Sequence, residues 1–138
     1  MVEVVKLNSE EAIEYFPVVL PYIKKAVDQS QGEYGVGDYL DYLGNGIFDL
    51  WVIVKDNEVI GAGVTAIVHH PQYNVCVIRL LSTDVGTGLE TITTKTIERW
   101  AKVNGCKRIE MYGRKGWLKL LNKYGWKQSP YTVMEKEI

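Results

Sequence analysis

The sequence predicts an α+β fold, and two observations carry that expectation. Between Val75 and Tyr112 an apolar β-rich run, a glycine-containing loop, an amphipathic stretch and a second β-rich run follow one another, which reads strand, turn, helix, strand. Ahead of them, runs of strand composition are joined by short turn-forming segments, which predicts an antiparallel meander. A loop that opens a helix directly after a strand also aims unpaired backbone N–H groups at one point, a place suited to phosphate.

Taken in order, Val2 to Lys6 reads as a short strand. Asn8-Ser-Glu-Glu11 offers an N-cap with Glu placed to complete a capping box, so a helix is expected from near Ser9. Ala12, Ile13, Phe16, Val19, Leu20 and Ile23 recur at helical spacing, but Pro17 and Pro21 lie among them and are expected to break or kink the segment into pieces. Gln29 to Gly37 is polar loop, and Asp38 to Leu43 is a short helical stretch stopped by Gly44-Asn-Gly46. Asp49 to Lys55 and Glu58 to Val68 are strands around an Asp56-Asn57 turn; His70-Pro-Gln-Tyr-Asn74 connects to a third strand, Val75 to Ser82. Thr83 to Gly88 is the loop, Leu89 to Asn104 the amphipathic helix and Arg108 to Tyr112 the next strand. Lys115 to Tyr124 reads as a helix ended by Gly125, and Trp126 to Gln128 and Tyr131 to Glu137 read as two closing strands around Ser129-Pro130.

At 138 residues the chain is expected to be a single domain, residues 1–138, long enough to bury roughly two thirds of its unfolded surface. With 16 basic against 17 acidic residues, well mixed, it lacks the basic footprint of a nucleic-acid binder. No apolar run approaches the roughly 20 residues of a membrane span. Met1-Val-Glu-Val-Val-Lys6 lacks the layout of a signal peptide, which makes the cytoplasm the default expectation. Cys76 and Cys106 have no paired spacing and read as free thiols, neither a disulfide framework nor a metal site.

The order β, α, α, β, β, β, α, β, α, β, β resembles the GNAT superfamily of acyl-CoA-dependent N-acyltransferases over essentially the whole chain. Local runs agree. Asp49-Leu-Trp-Val-Ile-Val-Lys-Asp-Asn-Glu-Val-Ile-Gly-Ala-Gly63 looks like the family's hairpin, and Leu120-Leu-Asn-Lys-Tyr-Gly-Trp126 like its closing helix. The small size and Gly113-Arg-Lys-Gly-Trp117 also resemble GNAT-like proteins of tailed phages. The resemblance implies a GNAT-like mixed central sheet of about six to seven strands flanked by about four helices, as befits the family. It implies acetyl-CoA as co-substrate, transfer to a small-molecule or protein amine, and a homodimer as a candidate assembly.

The family's pyrophosphate loop, Gln/Arg-x-x-Gly-x-Gly/Ala, falls on Thr83-Asp-Val-Gly86-Thr-Gly88. Both glycines stand, so main-chain contact with phosphate is retained through Val85, Gly86, Thr87, Gly88 and Leu89. Thr83 replaces the long polar side chain, and Asp84 and Glu90 add negative charge there. Asp, Thr and Glu at a helix start are also good capping and dipole residues with no ligand at all. The family's splayed strand, whose backbone pairs with pantetheine, would be Leu80, Leu81 and Ser82, with Cys106 to Tyr112 as the facing wall; an ordinary closed sheet is the alternative.

The family's acid, a Tyr four residues before the Gly that ends the last helix, falls on Leu121, and its Asn near the start of that helix falls on Arg114. Tyr112 is the candidate substitute, against an ordinary strand-end aromatic; Tyr124 occupies a core Leu slot and is expected to pack. Tyr34, Tyr39 and Tyr42 with Asp38 and Asp41 precede the first hairpin, where the family builds its acceptor pocket. They could receive a cationic amine, or form a short amphipathic helix whose tyrosines cover the core. His69-His70 reads as a turn, and Lys115, Lys119 and Lys123 as a solvated helix face. The departures at Thr83, Asp84, Arg114 and Leu121 support a second reading: a non-catalytic GNAT-like structural or interaction protein, as of a phage particle, with Trp117 and Trp126 as interface anchors unless they pack in the core.

Overall fold

The computed structural model describes residues 1–83, 88–113 and 115–138. After strand β1 (Val2–Leu7), Asn8 caps helix α1 (Ser9–Asp28). The Asn8 side chain accepts from the Glu11 amide at 2.8 Å and the Glu11 carboxylate accepts from the Asn8 amide at 3.0 Å, the reciprocal box read from the sequence. The prolines do not divide the segment: α1 is one helix of 20 residues with Pro17 and Pro21 inside it. Ile13, Pro17 and Pro21 lie on one exposed stripe, so the carbonyls that lose their donors face solvent, while Ala12, Phe16, Val19 and Ile23 bury the opposite stripe. Burial of that stripe outweighs the lost hydrogen bonds.

Helix α2 (Val36–Gly44) follows, then strands β2 (Asp49–Lys55), β3 (Glu58–His69) and β4 (Asn74–Thr83). Asp56 and Asn57 both take positive φ (51 and 66) in the β2–β3 turn, the conformation a tight hairpin requires. Helix α3 (Leu89–Val103), strand β5 (Cys106–Met111) and helix α4 (Lys115–Leu121) complete the order, with a 3₁₀ turn at Asn122–Tyr124 ended by Gly125 in the left-handed region.

Among the described residues the sheet has five strands in the order β1-β2-β3-β4-β5, antiparallel throughout except for the parallel β4–β5 pair. Four α-helices accompany it, so the expected six to seven strands are corrected to five. Trp126–Gln128 and Tyr131–Glu137 are not strands. Tyr131, Val133 and Met134 are 87%, 79% and 91% exposed. The residues there have strand propensity, but no described strand pairs with them and no core covers a face.

Alternation along β2 distributes the core to both sheet faces. Leu50 and Val52 join Phe16, Val19, Ile23 and Leu43 under α1 and α2, whereas Trp51 packs with Cys76, Ile78, Ile97 and Ala101 against α3. Trp51 donates from Nε1 to the buried Thr65 hydroxyl at 3.0 Å, which satisfies both polar groups inside the core. Trp126 packs on the α3-side cluster, so core packing accounts for it.

Candidate functional site

The site grows from an irregularity in β4. Val64 pairs with Leu80 and Thr65 with Ile78, which leaves Arg79 as an extra residue, a β-bulge. The bulge reverses the strand's parity. Cys76 and Ile78 face α3, but Leu80 belongs to the opposite core, and Arg79 lies over Tyr34 and Phe48 on that same side. The parallel pairing with β5 ends at Ile78↔Met111, one residue before the bulge, while β4 continues to Thr83. From Arg79 onward the β5-facing edge of β4 therefore carries backbone N–H and C=O groups with no strand upon it.

A cavity of about 380 Å³ opens at this divergence. Arg79, Leu80 and Leu81 of β4 form one wall, Met111, Tyr112, Gly113 and Trp117 the other, and Tyr34, Tyr39 and the Gln29–Glu33 region the rim toward α1. Tyr34, Tyr39, Tyr42 and Phe48 form an aromatic cluster with centroid separations from 5.0 to 5.9 Å. The half-buried Arg79 guanidinium sits 4.8 Å from the Tyr34 ring centre and 5.5 Å from that of Phe48. Burial pushes the Tyr39 phenol above its ordinary value, against the opposing pull of the Arg79 charge. The Glu33 carboxyl is held below the usual range, chiefly by hydrogen bonding to its own backbone N–H, with the Gln31 N–H and the Arg79 charge in support.

Gly88 is the N-cap of α3; it takes φ +79 and, among the described residues, has nothing within 4 Å of where a Cβ would stand. Its carbonyl accepts the Ile92 amide at 3.3 Å, so the first-turn amides of α3 have no partner within the helix. Strand, bulge and divergence thus border one cleft, and α3 follows the end of β4 in the chain.

Solved structures share this fold. The chain aligns over 99% of its length with 96% of a predicted acetyltransferase with acetyl-CoA from Clostridium acetobutylicum, at TM-score 0.75 and 15% identity. A ribosomal-protein-alanine N-acetyltransferase from Brucella melitensis biovar Abortus 2308 aligns over 100% of both chains at TM-score 0.73 and 11% identity. An aminoglycoside acetyltransferase from an uncultured soil metagenomic sample, in complex with sisomicin, aligns over 99% of this chain and 97% of its own at TM-score 0.71 and 10% identity. The fold is that of the GNAT acetyltransferases. No family model and no curated protein matches the chain by sequence.

Within this GNAT fold, Leu80, Leu81 and Tyr112 line one cavity. Ser82 and Thr83 end β4, and Gly88 and Leu89 open α3. Asp84, Val85, Gly86, Thr87 and Arg114 lie outside the described residues. Thr83 donates from Oγ1 to the Ile60 carbonyl at 2.9 Å, so its hydroxyl reaches across to β3. Glu90 is buried in the first turn of α3. Tyr112 is 71% exposed at the cavity wall, whereas Leu121, at the family's acid position, is 2% exposed and part of the core. Tyr124 does not pack as a core Leu would; it is 40% exposed, with the Lys95 ammonium 4.7 Å from its ring centre.

Of the two alternatives for Tyr34, Tyr39, Tyr42, Asp38 and Asp41, the packing one describes the arrangement. Asp38 accepts the Gly35 amide at 2.8 Å as a helix cap, and Asp41 is exposed and lines no part of the cavity among the described residues. The tyrosines pack together, and the cation they receive is the protein's own Arg79. His69 bonds Asn74 through Nδ1 at 2.9 Å and the His70 amide donates to the Tyr73 carbonyl at 3.0 Å, a turn as expected. Sequence reasoning missed Arg79, Glu33 and Phe48. A lone arginine inside the apolar run Val75-Cys-Val-Ile-Arg-Leu-Leu81 was the available signal, because a buried strand rarely carries an unpaired charge.

Proposed function

We propose that the protein is an acetyl-CoA-dependent N-acetyltransferase that transfers directly to a small-molecule or protein amine. The observation that carries this reading is the divergence of β4 from β5 beyond Ile78↔Met111, which exposes a backbone edge to a cavity. The groups present fit the co-substrate: an extended run of free peptide groups suits the amides of pantetheine, and the open Gly88 backbone with the α3 amides suits a pyrophosphate. In this assignment Leu80, Leu81 and Ser82 hold the pantetheine arm. Val85, Gly86, Thr87, Gly88 and Leu89 present the amides, with residues 85–87 assigned from sequence alone.

Acetyl-CoA supplies an activated acyl carbon. The chain supplies position, holding acceptor nitrogen and carbonyl together in a walled cleft, and peptide N–H groups that favour a developing negative oxygen. The N–C bond forms as the C–S bond breaks; of the two protons the ammonium gives up, one goes to sulfur and the other to solvent. Tyr112, on the cavity wall, is the candidate donor to sulfur. Its demand is modest, because a free thiol ionises near pH 8.5 and is a tolerable leaving group without full protonation.

Thermal unfolding with and without millimolar acetyl-CoA tests the reading. A ligand at about a hundred times its Kd stabilises by about 2.7 kcal/mol, worth several degrees here. A rise, followed by acetyl-dependent thiol release with an amine panel, supports the enzyme. Absence of any rise sinks it and favours the alternative, a non-catalytic GNAT-like structural or interaction protein, for which the buried Leu121 at the acid position is the specific observation.

A further inference from the structure

Among the described residues, the cavity contains a cation with no ion-pair partner. Among the described residues the Arg79 side chain makes no ion pair or hydrogen bond; it lies over the rings of Tyr34 and Phe48, and its charge is felt by Glu33 and Tyr39. Rings engage the charge but accept no in-plane N–H bonds, so the guanidinium fork stays available to whatever fills the cavity. Alternation from Cys76 and Ile78 puts Arg79 on this face, and the bulge brings Leu80 to the same face beside it. Glu33 lies on the same cavity but spends its oxygen on the Gln31 amide at 3.0 Å, and its charge is exposed to water. The cavity therefore has a half-buried cation in its wall and a hydrated anion at its rim.

A polycationic acceptor would place like charge against Arg79. A phosphate dianion would bring two charges to one guanidinium with Glu33 close by. A carboxylate matches the fork in charge and shape. Resting on the acetyltransferase reading, we propose that Arg79 determines acceptor specificity and that the acceptor is an amine carrying a carboxylate, of the amino-acid class. The carboxylate takes the Arg79 fork, and the ammonium, before it loses its proton, faces the Glu33 side.

The test uses the full chain and two readouts. The first is NMR titration with N-acetyl-β-alanine and N-acetyl-4-aminobutyrate against their primary amides, which are product analogues and require no turnover. The acids are expected to bind at least about tenfold tighter than the amides, with Arg79→Gln abolishing the difference and Arg79→Lys, which keeps charge but loses the fork, retaining part of it. Equal binding of acid and amide, binding of neither, or a preference that survives Arg79→Gln in a folded variant overturns the proposal. The second readout is thiol release with β-alanine, β-alaninamide and spermidine. If acetyl-CoA raises the unfolding midpoint and β-alaninamide or spermidine is acetylated as well as β-alanine, the acetyltransferase reading stands and the acceptor class falls. If acetyl-CoA gives no midpoint rise, that reading falls, and the titration still decides whether Arg79 holds a carboxylate.

Discussion

Two glycines in β3, two residues apart on the same strand face, should respond oppositely to the same substitution. A Cβ on Gly61 would stand 2.7 Å from the Ser82 carbonyl oxygen, 2.8 Å from Ile53 Cδ1 and 2.9 Å from Thr83 Cβ. A methyl side chain can turn away, but the Ser82 carbonyl is main chain, so β4 must move where it approaches the candidate cofactor loop. Overpacking of this kind costs about 1–3 kcal/mol. On Gly63 the nearest atoms are Leu81 Cδ1 at 3.5 Å and the Leu80 carbonyl oxygen at 3.6 Å, ordinary contact. There an alanine should be neutral or stabilise by up to about 0.5 kcal/mol, because the unfolded chain loses freedom. With an unfolding entropy of about 2.1 cal/mol/K per residue over 138 residues, 2 kcal/mol corresponds to roughly 7 °C. Differential scanning calorimetry of Gly61→Ala beside Gly63→Ala measures the difference directly. If both unfold within about 1 °C of wild type, β4 gives way freely and the argument for a rigid, bulged β4 edge is wrong.

Removing the α1 cap with Asn8→Ala should cost about 1 kcal/mol and lower the midpoint by about 3 °C, read by thermal or urea unfolding. An unchanged midpoint would mean the box contributes nothing. The Cys76 thiol is buried and pushed up to about 12, mainly by burial, with the Cys106 and Asp49 charges adding. In the folded protein it should stay unreactive to a disulfide reagent at pH 8 while Cys106 reacts, and equal rates would contradict the burial. The sign of the linkage follows. The native state keeps this proton where the unfolded state releases it, so its contribution to stability is intact below about pH 9 and falls by up to about 1.4 kcal/mol per pH unit toward 12. Tyr112→Phe should lower kcat by about tenfold at pH 7 with the KM for acetyl-CoA unmoved. A kcat unchanged at every pH would remove Tyr112 from the proton path.

Most of the fold was legible because it depends on local rules. The capping box at Asn8, the Asp56-Asn57 turn, the period of α3 and the apolar strands each act within a few residues, and each stands in the structure where it was read. The failures were long-range. Pro17 and Pro21 look like breakers until the opposite stripe is seen to be buried by the sheet and the orphaned carbonyls to face water. Tyr131 to Glu137 has strand composition, but a strand exists only where a partner and a buried face are supplied. The tyrosines before the hairpin were readable as an aromatic cluster, and the cation over them was not, because Arg79 lies dozens of residues away in sequence.

The sequence by itself determined the order of the elements from β1 to α4, since propensity, capping and turn chemistry are local free energies. Only the tertiary structure decided that Arg79 is an extra residue in β4, that β5 parts from it after Ile78, and that a charged cavity opens there. A bulge belongs to the pairing of two strands and a cleft to the ending of a pair, and neither is written in one strand's residues.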